Sequence, residues 1–201
     1  MRITTGMESI VFATQNPNKL EEIRQMLPPG LKLLSLDDIG CTGEIPETAD
    51  TLEGNARLKA SYVYAHHGCD CFADDTGLEV AALNGAPGVF SARFAGPEAD
   101  SGANIRKLLQ LMEGIADRRA RFRTVIALAT GGAFHFFEGQ VEGEILRQPS
   151  GTGGFGYDPV FRPRGYEGSF AQMPLSEKNR ISHRGKAFRN LNAFIRKNLM
   201  H

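Results

Sequence analysis

Short apolar runs and apolar residues spaced three or four apart alternate along the first third of the chain, which predicts strands interleaved with amphipathic helices. Residues 9–14 are apolar and β-branched, as expected of a buried strand. Asn16 and Pro17 suit the N-cap and first turn of a helix whose apolar positions recur as far as Leu27. The same criteria predict a second strand over 32–36 and a helix over 52–67.

The rest of the chain mixes strand and helix patterns without strict alternation. A brief strand over 71–73 is predicted to end in a turn at 74–77. Gly131 and Gly132 separate two strand-like runs, a strong signal for a β-hairpin. The other predicted elements are a helix over 100–113, the hairpin strands over 122–130 and 133–141, a strand near 158–161 and a helix over 183–199. We therefore predict an α/β fold with a mixed sheet.

No repeat, linker or low-complexity segment divides the sequence. A length of 201 residues fits one generous core or two closely packed lobes. Residues 1–6 lack periodicity and precede a second methionine, so we expect a dispensable extension there. A single folded domain is then predicted over 7–201.

Composition and charge exclude several classes of partner. The 23 basic residues balance the 23 acidic ones, so no overall positive field attracts nucleic acid or an anionic membrane. No apolar run approaches the roughly 20 residues of a transmembrane helix, and no secretory signal is recognisable. We expect a cytoplasmic protein without a nucleic-acid or membrane partner, in which local groups bind any anionic ligand.

The first of four unusual segments is T-Q-N-P-N-K at 14–19, where a helix is predicted to start. Free backbone N–H groups and the helix dipole favour a phosphate at such a position. An ordinary capping turn is the alternative, because capping explains Asn16 and Pro17 without a ligand.

Two adjacent carboxylates, Asp74 and Asp75, follow the predicted strand at 71–73. Such a pair can hold a divalent cation while one member orients or deprotonates water. A charged turn without a ligand is the alternative, because aspartates are common in turns.

Two further segments carry groups suited to a base and to anions. The glycines of 151–159 permit close approach of a ligand, and Phe155 and Tyr157 offer flat faces for a base, although a flexible hairpin tip has the same composition. Residues 177–186 concentrate basic side chains, which indicates either a local anion site or a solvated helix end. Together the four segments are typical of an enzyme acting on a nucleoside polyphosphate.

The four segments closely resemble those of the inosine triphosphate pyrophosphatase family, in the family's order and at its spacing from residue 10 onward. The resemblance implies hydrolysis of ITP, dITP and XTP to the monophosphate and pyrophosphate with Mg²⁺. It also implies a two-lobed α/β fold with an elongated mixed β-sheet and flanking helices, an active site in the cleft between the lobes, and a homodimer. The matching motifs are T-x-N-x-x-K at 14–19, A-D-D-T-G-L at 73–78, G-A-P-G-x-x-S-A-R at 85–93, G-G-F-G-Y-D-P at 153–159 and S-H-R-G at 182–185.

By the same resemblance, Asp75 is the metal-binding catalytic residue and Thr76 lies beside the substrate. Asp74 is then a supporting group or a further metal ligand. The other implied contacts are the triphosphate loop of Thr14, Gln15, Asn16, Pro17, Asn18 and Lys19, the base-binding stretch of Phe155, Gly156, Tyr157 and Asp158, and the substrate contacts Lys178, His183 and Arg184, with the last two at the base.

One position departs from the family pattern. Pro46 stands where family members often carry a metal-binding glutamate. Glu47, Glu44 or water is therefore expected to complete the ligands of the metal.

In the implied reaction Asp75 positions or deprotonates the water that attacks the α-phosphorus, while Lys19 and Lys178 stabilise the departing pyrophosphate. Donors from His183 and Arg184 suit the 6-oxo group of hypoxanthine or xanthine and clash with the 6-amino group of adenine. A non-catalytic purine nucleotide sensor and a nucleotidyltransferase can use the same groups, and they stay open as alternatives that turnover and product analysis separate.

Overall fold

The computed structural model describes residues 7–43 and 45–200. Residues 1–6, the predicted extension, and Glu44, a candidate metal ligand, lie outside the described residues. The strands in the described ranges are β1 (Ser9–Phe12), β2 (Lys32–Leu34), β3 (Cys71–Val80), β4 (Pro87–Gly88), β5 (Arg119–Thr130), β6 (Ala133–Ile145) and β7 (Phe161–Pro163). The α-helices are α1 (Pro17–Arg24), α2 (Leu52–His67), α3 (Ser101–Leu111), α4 (Leu175–Ile181) and α5 (His183–Asn198). Over these ranges, none of the helices combines the length and apolar character needed to cross a bilayer.

The strands form a mixed sheet in the order β2-β1-β3-β5-β6-β7, with β4 paired to β3. Strand β1 runs parallel to both β2 and β3, and Ser9 lies opposite Lys32. Strands β4 and β7 run antiparallel to β3 and β6. Gly131 and Gly132 join β5 to β6, and both have the positive φ that a tight hairpin turn requires. The predicted mixed sheet and hairpin are therefore confirmed.

The chain is divided into two compact units. The first contains the residues up to Asp75, residues 124–139 and the residues from 185 onward. The second contains residues 76–123 and 140–184. The chain therefore passes from one unit to the other within β3, β5, β6 and α5.

In the first unit, helices cover the strands on both faces. Phe12 and Phe72 point to one side and pack against α1 and α5. Val11 and Ala73 point to the other side and pack against α2 through residues such as Ala60. Because successive strand residues point to opposite faces, the first unit needs apolar side chains on both sides of its strands.

In the second unit, the strands have one apolar face and one charged face. Phe122, Val141 and Phe161 belong to the apolar face and share a core with α3. The charged face carries arginines and glutamates and lines a recess of about 840 Å³. None of the described candidate site residues lies in the wall of this recess. The ion pairs on this face are Arg121 with Glu79 at 2.5 Å, Arg164 with Glu142 at 3.6 Å, and Arg162 with Glu144.

The structure differs from the sequence-based prediction mainly along β3. The predicted turn over 74–77 is wrong, because these residues continue the strand as far as Val80. A Cβ on Gly77 would lie 2.7 Å from the carbonyl oxygen of Gly88, so the glycine allows β4 to approach β3 closely. Helix α4 was not predicted, whereas α2 has the predicted bounds.

Candidate active site

The segment from Thr14 to Lys19 forms the loop into α1. The Oδ1 atom of Asn16 accepts hydrogen bonds from the N–H groups of Asn18 at 2.9 Å and Lys19 at 3.4 Å. The hydroxyl of Thr14 accepts one from the N–H of Asn16 at 3.2 Å, and the amide of Gln15 donates to the Gly43 carbonyl at 3.4 Å. The predicted capping role of Asn16, with Pro17 in the first turn, is confirmed.

Asp75 is buried and both of its carboxylate oxygens have partners on α2. The ammonium of Lys59 donates to Oδ1 at 3.2 Å, and the amide of Asn55 donates to Oδ2 at 3.3 Å. Lys59 also contacts the carboxylate of Glu47 at 2.6 Å, so one ammonium joins two acids. The structure therefore brings the candidate metal ligands Asp75 and Glu47 to a shared cation.

Burial and charge act in opposite directions on this group. Burial raises the pKa of Asp75 above its ordinary value, although the neighbouring Lys59 and Lys19 lower it. Burial lowers the pKa of Lys59, but the charges of Asp75 and Glu47 outweigh it and raise that pKa overall. Lys59 is therefore charged at neutral pH, and Asp75 is a stronger base than an exposed aspartate.

Asp74 has a different partner from Asp75. Its carboxylate is buried and accepts a hydrogen bond from the ammonium of Lys19, on α1, at 2.9 Å. The separation follows from strand geometry, because consecutive side chains of β3 point to opposite faces. In this structure the two adjacent carboxylates thus form ion pairs with different lysines, Asp74 with Lys19 and Asp75 with Lys59.

In the second unit, Phe155 lies beside two cations. The ammonium of Lys178 is 4.8 Å from the ring centroid and the guanidinium carbon of Arg184 is 5.5 Å from it. Lys178 forms a buried ion pair with Asp158 at 2.5 Å, and Asp158 also accepts the N–H of Phe155 at 2.9 Å. Arg184 donates to the hydroxyl of Thr76 at 3.1 Å, so five predicted site residues are brought together.

Two candidate base-binding residues have roles in the core of the second unit. The buried hydroxyl of Tyr157 donates to the Ser91 carbonyl at 2.9 Å, and burial raises its pKa well above the usual range. The buried imidazole of His183 stacks on Phe122 with centroids 4.6 Å apart. Gly156, between Phe155 and Tyr157, has a φ of 59°. The aromatic face presented by the glycine-rich segment is therefore that of the half-buried Phe155.

Asn55 and Lys59, which complete the cluster around Asp75, were not predicted from the sequence. Their spacing of four places them on one face of α2, and both are buried. The signal in the sequence is a pair of polar residues at positions interleaved with the apolar stripe of Ala56, Ala60 and Val63. Buried polar side chains need partners, so such a pair indicates a polar site beneath the helix.

The cluster around Asp75 is also a candidate cation site. Among the described residues, no group of three or more His, Cys, Asp or Glu side chains is arranged so that it could hold a metal ion by itself. Asp75 and Glu47 nevertheless present carboxylate oxygens around one ammonium. Mg²⁺ is commonly held by one or two carboxylates with substrate phosphates and water completing its shell, so these two residues fit that ion.

Comparisons with known proteins find similarity over almost the whole chain. A sequence model of the Ham1 family matches residues 10–194. A dITP/XTP pyrophosphatase of Christiangramia forsetii is 57% identical over 188 residues, which cover 94% of this chain and 99% of that protein. One of Porphyromonas gingivalis is 54% identical over 190 residues, covering 94% and 98%. The structure of a HAM1 protein from Coxiella burnetii superimposes with a TM-score of 0.87 at 40% identity, covering 95% of this chain and all of that one.

Proposed function

The chain belongs to the Ham1 family, and on that premise we propose that it hydrolyses non-standard purine nucleoside triphosphates, dITP, XTP and ITP, to the monophosphate and pyrophosphate. The observation that carries the proposal is the agreement with curated dITP/XTP pyrophosphatases over nearly the full length of both chains. The clusters around Asp75 and Phe155 supply carboxylate, cationic and aromatic groups suited to such a substrate. The substrate is a small molecule. The homodimer and the cytoplasmic location stay predictions from the sequence.

In the first unit, we propose that Asp75 and Glu47 hold Mg²⁺. The ion would supply charge neutralisation to the phosphate oxygens. Asp75 orients the attacking water and accepts its proton, as the water oxygen bonds to the α-phosphorus and the bond from that phosphorus to the bridging oxygen of pyrophosphate breaks. The loop over 14–19 binds the phosphates, and Lys19, held by Asp74, offsets the negative charge that accumulates on pyrophosphate.

In the second unit, we propose that Phe155 supplies the stacking surface for the purine. Arg184 lies over this ring and donates to the hydroxyl of Thr76, and we propose that its guanidinium recognises the 6-oxo group of hypoxanthine or xanthine. Adenine carries a donor at that position, which a guanidinium repels. Lys178 and Asp158 fix the backbone of the loop, and Lys178 adds positive charge for the phosphates.

Incubation with a panel of purine triphosphates and Mg²⁺ tests the proposal directly. We expect dITP, XTP and ITP to be converted to monophosphate and pyrophosphate, and ATP to be a poor substrate because of its 6-amino group. Chromatography of the nucleotides, together with separate assays for pyrophosphate and orthophosphate, identifies the bond that is cleaved. Orthophosphate as the first product would contradict the cleavage site, tight binding of ITP without turnover would favour the sensor, and dependence on an acceptor would favour the nucleotidyltransferase.

Replacement of Phe155 by alanine tests the base platform. We expect nucleotide binding to weaken by about 1–3 kcal/mol, the usual contribution of a base stacked on an aromatic ring, with a smaller effect on kcat. Calorimetric titration of the metal-free protein with ITP measures the change. Phe136→Ala is the matched control, because Phe136 is an exposed phenylalanine of the first unit outside the candidate clusters. Equal affinities of the two variants for ITP would show that Phe155 does not stack on the base.

A further inference from the structure

Asn55 connects the loop that carries Glu47 to the carboxylate of Asp75. The residue is 1% exposed, and its Oδ1 atom accepts a hydrogen bond from the N–H of Ala49 at 2.9 Å. Its Nδ2 group donates to Oδ2 of Asp75 at 3.3 Å. One rigid side-chain amide therefore contacts both a backbone position two residues after Glu47 and the predicted catalytic carboxylate.

Lys59 lies one turn further along α2 and completes the arrangement. It contacts the other oxygen of Asp75 and the carboxylate of Glu47. With both oxygens of Asp75 bonded to α2, rotation of the carboxylate about its Cβ–Cγ bond breaks at least one of the two hydrogen bonds. The hydrogen bond between Asn55 and Ala49 attaches the loop that carries Glu47 to the same helix. Two side chains four residues apart on one helix therefore contact Asp75, Glu47 and the loop that carries Glu47.

We propose that Asn55 is a positioning residue for the reaction, which orients Asp75 and sets its separation from Glu47. The inference rests on the proposed function, in which both acids hold the metal. Asn55 acts through Asp75 and the loop, so its loss should affect turnover and metal binding rather than binding of the purine. Partners that orient metal ligands commonly change metal affinity or activity by about 10–100-fold when they are replaced.

The chain offers a closely matched control in Asn104. Asn104 is also the fourth residue of its helix, α3, and is also buried, at 3% exposure. Its amide accepts the N–H of Ala95 at 2.6 Å and donates to the Ala92 carbonyl at 2.8 Å, and none of these contacts is a candidate site residue. Asn55→Ala and Asn104→Ala therefore each remove a buried side-chain amide that accepts one hydrogen bond and donates another. Only Asn55→Ala removes a contact to Asp75.

The experiment measures kcat, KM, the Mg²⁺ concentration for half-maximal turnover, and Tm for both variants with dITP. Asn55→Ala is expected to lower kcat and raise the half-maximal Mg²⁺ concentration by about 10-fold or more, with KM within about twofold. Asn104→Ala is expected to lower Tm to a similar extent while kcat and the Mg²⁺ dependence stay at wild-type values. If Asn55→Ala does not fold, Asn55→Asp replaces it, because the carboxylate keeps the acceptor for Ala49 and loses the donor to Asp75.

A second readout does not depend on turnover. Titration of the nucleotide-free protein with Mn²⁺, followed by electron paramagnetic resonance, should show weaker binding in the Asn55 variant and unchanged binding in the Asn104 variant. An Asn55 variant with wild-type kcat, Mg²⁺ dependence and Mn²⁺ affinity would overturn the inference. A wild-type protein that does not hydrolyse dITP, XTP or ITP would refute the proposed function instead, and the Mn²⁺ titration would then decide the role of Asn55 by itself.

Discussion

Asp75→Asn is expected to lower kcat for dITP by 100-fold or more, because it removes both the negative charge that holds the metal and the base that accepts the proton of water. The substitution preserves the size of the side chain and keeps one oxygen that can accept from either Lys59 or Asn55, and we expect the protein to stay folded. Affinity for nucleotide without metal should stay constant or improve, since one negative charge facing the triphosphate is lost. Steady-state kinetics at saturating Mg²⁺ and calorimetric titration measure the two effects.

The pH profile and the neighbouring carboxylate provide the controls. Wild-type kcat/KM should rise with pH through the pKa of Asp75, which burial raises, because only the deprotonated carboxylate accepts a proton. The variant should lack this rise. Asp74→Asn should have a milder effect, because Asp74 is hydrogen-bonded to Lys19 and supports the site through that residue. A nearly normal Asp75→Asn beside an inactive Asp74→Asn would reverse the two assignments.

Lys59→Met is expected to lower the free energy of unfolding by about 3–5 kcal/mol near neutral pH, the usual result of removing one partner from a buried ion pair. The lysine is buried and neutralises Asp75 and Glu47 at once, so its loss leaves two acids without their shared cation. Urea denaturation monitored by circular dichroism measures the loss. Lys197→Met is the matched control, because Lys197 is exposed near the end of α5 and its replacement should change stability by about 0.5 kcal/mol or less.

The effect of Lys59→Met should depend on pH in a defined direction. Without the lysine, the pKa of Asp75 in the folded protein lies further above its unfolded value. The folded state then binds more protons than the unfolded state in the acidic range. The stability of the variant therefore falls as pH is raised through this range, and it recovers when pH is lowered and the carboxylate of Asp75 is protonated. The stabilisation by Lys59 itself is present below its unfolded pKa and is lost only as pH rises through its raised folded pKa. A variant whose deficit is the same at pH 4 and pH 8 would contradict this account.

The elements that could be predicted are those whose limits are set by neighbouring residues. Thr51 caps α2 through its hydroxyl, which accepts the N–H of Gly54 at 3.0 Å, and Gly68 ends the helix with a φ of 63°. Gly131 and Gly132 likewise determine the hairpin between β5 and β6. In each case the signal lies within a few residues of the boundary, so a sequence pattern is sufficient.

The course of β3 could not be predicted from its own residues. Aspartate is depleted in strands, and two in succession normally indicate a turn. They are accommodated here because Lys19 and Lys59, which are 55 and 16 residues away along the chain, neutralise them. Asn55 and Lys59 were not predicted for the same reason, because they are 20 and 16 residues away from Asp75 along the chain. Tertiary contacts of this kind decide both the secondary structure and the polar site, and local patterns do not contain them.

The alternation of Asp74 and Asp75 along β3 limits how this strand can change during evolution. Loss or gain of one residue before Asp74 would exchange the faces of the two acids, so that each carboxylate met the helix that serves the other. A change of two residues would keep the faces and only shift the acids along them. Length changes near this motif are therefore tolerated in even steps at best, and the parity of the strand is as much a part of the site as the identity of its residues.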